Sequence, residues 1–452
     1  MLNQLKQLSN FFATGATQAY TFRYQQLVNL KHALNKHQTD LIQALKVDLN
    51  KPEFEAYSSE IGLIYEEISY AQKYLKTWMK PQKVRTPLTA FYAKSYIYNV
   101  PLGVVLIIAP WNYPVQLLLS PLVGAIAAGN CVIVKPSELL PNVTNIIQQI
   151  IDAAFSKNYV LLIEGDGATV VPELINSFKF NYVFFTGSTN VGKAIALQCA
   201  AQLIPYTLEL GGKSPAIVDK TANLDITAKR IVWAKFFNAG QTCVAPDYLL
   251  VDYTIKAPLI EKLKHYIAKF YTNSEEDLAK IVNHQHLTTL SAYLTSNKII
   301  YGGEFDSKTL VFNPTLVDEP HLTDPIMQRE IFGPILPIIS YQTKEKLYQI
   351  IKHNPNPLAL YVFSQDQSFN NEIIQNISFG GGGINTGLMH LTNPRLPFGG
   401  VMESGQGNYH GKYSFDTFSH KKSIVKMANW IDVFIKYPPY TKLKRWLSNL
   451  FI

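Results

Sequence analysis

Three cysteines occur in this 452-residue chain, Cys131, Cys199 and Cys243. The third lies in "FFNAGQTCVAPD", among small and polar residues rather than in an apolar run. Only a thiolate attacks carbon, and a free thiol with a pKa of about 8.5 is mostly protonated at neutral pH. A site built on Cys243 must therefore lower that pKa or supply a base. Gly240 beside polar residues implies a tight backbone at the edge of a cleft. The plain alternative is a small buried side chain.

Further chemistry-bearing residues stand where apolar runs end. "YTLELGGKSP" brings Glu209 to the end of a β-like run just before two glycines, where an apolar pocket would raise its pKa and make it a general base. The alternative is an ordinary solvated glutamate. "APWNYP" holds Asn112 between Trp111 and Tyr113, an amide donor that suits an oxyanion or a turn. "FTGSTNVGK" reads as strand, then Gly187, Ser188 and Gly192, then helix, a pattern that lets backbone approach a pyrophosphate at a helix N-terminus. "VKPSE" adds Lys135 and Glu138 at another strand end, a cation and a carboxylate suited to the hydroxyls of an adenine ribose. A carboxylate repels a 2′-phosphate, so NAD is preferred and NADP is the alternative.

The elements that must position these residues are legible as a change of period. Residues 22–80 carry helical spacing, with Leu27, Leu30 and Leu34 followed by Leu41, Leu45 and Leu49. From Tyr96 the chain turns to short β-rich runs alternating with helices, "VVLIIAP", "CVIVKPS", "YVFFTGS" and later "YLLVDY", which implies parallel sheets covered on both faces. Chemistry then belongs at the carboxyl ends of the strands. "RTPLTAFYAKSYIYN" at 85–99 reads as a projecting hairpin of the sort that pairs with another subunit.

Composition excludes several classes. The net charge of +8 is dispersed, which disfavours nucleic acid. Odd, unclustered cysteines indicate neither a disulfide framework nor a metal site and fit a reducing cytosol. "MLNQLKQLSNFF" does not read as a secretory signal. The uncharged stretch between Lys94 and Lys135 is broken by Pro101, Pro110, Pro114 and Pro121, so it reads as buried βαβ rather than a membrane span.

With "PWNYP", "KPSE", "FFTGS", "LELGGKSP", "FNAGQTCVAPDY", "EIFGPILP", "PFGGV" and "YHGKYSFDTFSH" in order along nearly the whole chain, the sequence resembles the aldehyde dehydrogenase superfamily, in its class 3 or fatty aldehyde branch. The resemblance implies that Cys243 adds to an aldehyde carbonyl and that the Asn112 amide and the Cys243 N–H hold the oxyanion. Hydride passes to a nicotinamide, and Glu209 activates the water that hydrolyses the thioester. It also implies that Glu330 binds the nicotinamide ribose and that Phe332 packs near the ring. Trp111, Lys135, Glu138, Gly187, Ser188 and Gly192 are assigned to the cofactor, and Tyr113, Asn385 and His410 to the substrate pocket. No metal is expected. Two departures stand out: Met402 replaces a usual glycine, and Thr386-Gly387 follows Asn385 where an Asp-Thr type pair is common.

The expected architecture is two doubly wound α/β domains with a small β element for oligomerisation. Residues 1–84 with 104–208 would bind NAD, 209–410 would carry catalysis, and 85–103 with 411–425 would join two subunits into a homodimer. The tail 426–452 is basic, and from Tyr440 onward an amphipathic helix would place Leu443, Trp446, Leu447, Leu450 and Phe451 on one face. That helix would dock on protein or lie peripherally on a membrane, which favours a long-chain, aromatic or terpenoid aldehyde. Three rivals remain open at this stage: a CoA-acylating dehydrogenase, a Cys-His hydrolase using Cys243 and His410, and a non-catalytic membrane-surface protein on the same fold.

Overall fold

A computed structural model describes residues 2–451 of the chain. Its first layer is a six-stranded sheet in the order Gly405–Gln406, Tyr206–Glu209, Tyr182–Thr186, Val104–Ile108, Cys131–Lys135, Val160–Leu162. All neighbours are parallel except the short Gly405–Gln406 edge. The inner strands "VVLII" and "CVIVK" are buried at every residue, which is why their sequences run apolar without alternation. The chain moves outward from Val104–Ile108 through two strands, then returns to lay Tyr182–Thr186 on its other side. That reversal opens a crevice at the carboxyl ends of Val104–Ile108 and Tyr182–Thr186, where Asn112 and Gly187 follow.

A seven-stranded sheet follows, in the order Lys298–Tyr301, Thr315–Asp318, Ile335–Tyr341, Tyr248–Asp252, Pro215–Val218, Ala359–Phe363, Gly381–Ile384. It is parallel except at Lys298–Tyr301. Two doubly wound α/β sheets are thus present, as expected. The helical repeat seen in the sequence forms Tyr20–Lys36, Gln38–Leu49 and Gly62–Trp78, with Leu27, Leu34, Leu41 and Leu45 fully buried.

The third sheet is antiparallel and three-stranded, Gln82–Val84, Ala93–Pro101 and Ser419–Met427. Its boundaries differ from the expected 85–103 and 411–425. Residues Gly411–Thr417 form a helix that buries Ser414 and Phe415, and the strand begins only at Ser419. The hairpin reading of 85–99 agrees with the observed pairing of Gln82 with Ile97 and Val84 with Ser95.

The tail ends in the helix Lys442–Phe451. Leu443 is 61% and Trp446 62% exposed, so these two side chains are not covered by their own subunit. The side chains of Leu450 and Phe451 lie outside the described residues. No helix among the described residues is long and apolar enough to cross a membrane.

Candidate active site

The cysteine loop begins where the helix Leu224–Phe236 stops. Asn238 (φ 54°) and Ala239 (φ 52°) are left-handed, and Gly240 follows at φ 72°. Left-handed turns cost non-glycine residues about 1 kcal/mol each, so they persist only where surroundings hold them. Here the Asn238 N–H donates to Glu55 Oε2 at 2.9 Å, and its Nδ2 donates to the carbonyls of Asn112 and Gln241 at 3.0 and 3.1 Å. Gly240 must lack a side chain because a Cβ there would strike the carbonyl of Gly333. Tyr361 fixes the far side of the loop by donating its hydroxyl to the Val244 carbonyl at 2.7 Å.

Cys243, half-buried, stands where two cavities meet. One, of about 360 Å³, is walled mainly by apolar side chains including Phe54, Trp233, Phe237, Met389, Phe398 and Tyr409. The other, of about 260 Å³, is lined by Trp111, Asn112, Gly187, Ser188, Glu209, Glu330 and Phe332 among others. The thiol is therefore accessible from both sides. Its pKa is not lowered: burial pushes it up, the carboxylates of Glu330 and Glu209 push it further, and the N–H groups of Cys243 and Val244 offset only part.

Glu209 ends the strand Tyr206–Glu209 and is 1% exposed. Neither carboxyl oxygen has a hydrogen-bond partner among the described residues, and burial raises its pKa well above the ordinary carboxylate range. A buried carboxyl with a raised pKa has, in its ionised form, the basicity to take a proton from water. Asn112 donates Nδ2 to the Gln241 carbonyl at 3.0 Å, which orients its amide beside the cysteine loop. An amide nitrogen carries two hydrogens, so one is left for another acceptor.

Glu330 lies so close to Gly211 that any Cβ at that position would collide with its carboxylate. Burial raises its pKa to about 8, Asp247 adding to the rise and the Gly212 N–H, Lys213 and Lys235 opposing it. Trp111 and Phe332 meet edge to face at 5.5 Å across the cavity. A Cβ on Gly187 would lie 2.5 Å from the Phe185 ring. The helix Thr189–Ala201 follows Ser188, whose side chain makes no cap hydrogen bond, so the amides of its first turn have no side-chain cap. At the adjacent strand end Lys135 pairs with Glu138 at 3.0 Å. An extended anionic dinucleotide fits this set: a bare glycine, free helix amides and a carboxylate beyond them.

Two assignments need correction. Asn385 does not line the apolar cavity; its side chain bonds the Ser364 main chain at both ends, at 2.9 and 3.0 Å, and so closes a left-handed turn after the strand Gly381–Ile384. Gly192 does not line the cofactor cavity either; it is buried, and a Cβ there would come within 2.6 Å of Leu210, a packing requirement. Tyr113 and His410 do line the apolar cavity. His410 stacks on Phe398 at 5.2 Å, and burial together with His390 lowers its pKa to about 3, which makes it a neutral wall rather than a base. Met402 adopts φ 54°, so it does sit where glycine is favoured. It is 73% exposed and belongs to neither cavity, its neighbour Glu403 meeting Asn356 and Thr189 instead.

The sequence reading missed the buried charges behind the loops. Lys213 pairs with Asp247 and donates to the carbonyls of Ile326 and Arg329 at 2.8 and 3.0 Å, while Asp247 accepts the Ile331 N–H at 2.9 Å. This pair sets the segment that carries Glu330 and Phe332. Both residues lie inside recognised stretches, "GGKSP" and "VAPDY", and a charge embedded there was the available signal. Lys51, Glu55 and Glu60 gave no comparable signal.

A profile of the aldehyde dehydrogenase family matches residues 10–424. The chain belongs to the aldehyde dehydrogenase family. It is 47% identical over 446 residues to the 4,4'-diaponeurosporen-aldehyde dehydrogenase of Staphylococcus aureus, covering 98% of this chain and 97% of that one. It is 42% identical over 434 residues to the dimeric, NADP-preferring aldehyde dehydrogenase of Canis lupus familiaris, covering 95% of each. Among solved structures, the substrate-bound state of Staphylococcus aureus AldH superposes with a TM-score of 0.97 at 46% identity, covering 100% of this chain and 99% of that one. Family membership excludes the Cys-His hydrolase, in keeping with the neutral, cavity-lining His410.

Proposed function

We propose that this chain oxidises an apolar aldehyde to its carboxylic acid, holding the substrate on Cys243, with NAD or NADP as the oxidant. The observation that carries this reading is the position of Cys243 at the junction of an apolar cavity and a cavity lined by Asn112, Glu209 and Glu330. The Cys243 thiol gives up its proton to water, and the thiolate sulfur bonds the aldehyde carbon. The remaining Asn112 hydrogen and the Cys243 N–H then receive the charge that develops on the aldehyde oxygen. A nicotinamide held in the cavity lined by Trp111, Glu330 and Phe332 would supply the hydride acceptor, and its positive ring would favour ionisation of the thiol. The carbonyl re-forms as a thioester. Glu209 takes a proton from water, the water oxygen bonds the acyl carbon, the C–S bond breaks, and the acid leaves.

The substrate class follows from the cavity walls. Phe54, Trp233, Phe237 and Phe398 offer only apolar and aromatic surface, which suits a long-chain, aromatic or terpenoid aldehyde. A terpenoid aldehyde is also what the name of the Staphylococcus aureus relative describes. For the cofactor, Glu138 favours a free ribose hydroxyl and hence NAD, although the canine relative is NADP-preferring by name. The exposed strand Ser419–Met427 leaves a free sheet edge, so the acting form is a homodimer that covers it. The same reading places the enzyme in a reducing cytosol, where three free thiols persist. The basic tail, with Trp430, Phe434, Tyr440, Leu443 and Trp446 exposed, rests on an anionic membrane surface.

Absorbance at the reduced-nicotinamide band, with purified protein, NAD, a medium-chain aldehyde and no CoA, tests the reading. Steady turnover that vanishes in Cys243→Ala supports it. A single burst that resumes only with CoA identifies an acylating enzyme, and silence across a panel of chain lengths refutes oxidation altogether.

A further inference from the structure

Behind the loops that carry Asn112 and Cys243 lies a charge network from the N-terminal helices. Lys51 and Glu60 pair at 2.5 Å with both side chains fully buried. Burying two ions costs several kcal/mol apiece, and such a pair is seldom more stabilising than apolar packing of equal volume. Its use must therefore be sought in what it grips. Lys51 Nζ donates to the Asn112 main-chain carbonyl at 3.1 Å and stands 4.3 Å from the Tyr113 ring centroid. The Tyr113 hydroxyl lies 2.6 Å from Thr242 Oγ1, beside Cys243. The other Glu60 oxygen accepts the N–H groups of Val115 and Gln116 at 2.9 and 3.1 Å, at the start of the helix Gln116–Ala128.

The Asn112 carbonyl accepts twice, from Lys51 Nζ and Asn238 Nδ2, so both its lone pairs are engaged and the peptide cannot rotate. Glu55 completes the arrangement by holding the Asn238 N–H. Glu60 lies in a π-helical turn, Tyr57–Ile61, and turns of this kind recur where a helix is bent to serve a site. One short segment, residues 51–60, thus ties down the loop bearing the amide and the loop bearing the thiol.

We propose that Lys51 and Glu60 are positioning residues for Asn112: the pair locks the Asn112 main chain so that its carboxamide meets the oxyanion formed over Cys243. The proposal rests on the reading of Asn112 as an oxyanion donor. Neither residue touches substrate or cofactor in this account.

A double-mutant cycle tests it, run on the full-length enzyme. Lys51→Met with Glu60→Gln removes both charges together, which avoids leaving an unpaired buried ion. In the wild-type background this pair of changes lowers kcat/KM by about 10- to 100-fold and leaves the KM for NAD unchanged. In an Asn112→Ala background the same changes lower it less than about threefold, because the group they position is gone. Glu60→Gln alone is the second variant; it keeps an acceptor for Val115 and Gln116 but releases Lys51, and it follows the same two-background pattern. Equal losses in both backgrounds, or no loss in the wild type, overturn the positioning role while leaving the oxyanion reading intact. An Asn112→Ala enzyme of unchanged kcat/KM removes the oxyanion reading and the proposal with it.

Discussion

The side chain of Asn112 donates to the main-chain carbonyl of Gln241 at 3.0 Å, tying the loop after the strand Val104–Ile108 to the loop that presents Cys243. The proposed oxyanion donor and the proposed nucleophile are thereby held in one frame. Their relative placement does not depend on substrate to assemble it, which is the preorganisation that electrostatic catalysis requires.

Glu209→Gln separates the two halves of the reaction. Thiol attack and hydride loss leave an acylated enzyme, and without a base the thioester persists. A burst of about one reduced cofactor per site is expected, followed by turnover about 10²–10⁴-fold slower than wild type. Because burial raises the Glu209 pKa, the base is lost as pH falls, and wild-type kcat rises with pH along a limb well above the ordinary carboxylate pKa. Stability runs the other way. A raised folded-state pKa means that the native state favours the proton, so the stability is fully present below the unfolded pKa of about 4.5 and is lost as pH rises through the folded value. Thermal melting of Glu209→Gln at pH 8 is therefore expected above that of wild type, with the gap closing toward pH 4.5.

Glu138, paired with Lys135 at 3.0 Å, is the residue proposed to set cofactor choice. A 2′-phosphate near that carboxylate meets a repulsion of about 1–4 kcal/mol at 4 Å. In Glu138→Gln the KM for NADP is expected to drop about tenfold while that for NAD changes little, as read by steady-state kinetics with each cofactor. An unaltered NADP preference would place the ribose elsewhere.

Trp233 walls the apolar cavity beside Phe237, their rings 5.4 Å apart. Trp233→Ala removes aromatic surface from a bound chain, worth about 1.5–3 kcal/mol of burial. A fall of about 10- to 100-fold in kcat/KM for long-chain or aromatic aldehydes is expected, with acetaldehyde nearly unaffected. A uniform fall over all chain lengths would show that the cavity does not select the substrate.

Much of this arrangement was legible before the fold was known. Strand ends show in sequence because an apolar run stops at glycine or proline, and Asn112, Glu209 and Gly187 all stand at such stops. Cys243 stands out by its small and polar flanks, and Glu330 through the family motif "EIFGP". What escaped depends on long-range contact. Lys51 and Glu60 look like solvated helix charges, yet both are fully buried, their partners lying up to 61 residues away. Asn385 was misread because a polar residue after a glycine-rich strand can face a ligand or close its own turn, and local sequence does not choose. The helix Gly411–Thr417 falls inside the expected segment 411–425 of the small β element because its seven residues are too few to display a period.

The tail carries Lys442, Lys444 and Arg445 beside the exposed Leu443 and Trp446. Deleting residues 440–452 is expected to abolish sedimentation with anionic vesicles while leaving kcat on a soluble short aldehyde unchanged. Undiminished vesicle binding by the truncated enzyme would rule out the tail as the membrane contact.

The central claim is that Cys243 holds the substrate covalently. The most direct measurement is mass spectrometry of Glu209→Gln quenched in acid after mixing with NAD and a medium-chain aldehyde. An added mass equal to the aldehyde less two hydrogens is expected on the peptide containing Cys243, one hydrogen leaving the aldehyde as hydride and one leaving the thiol as a proton. Formation of reduced cofactor with no adduct on that peptide, or with the adduct on Cys131 or Cys199, would contradict it.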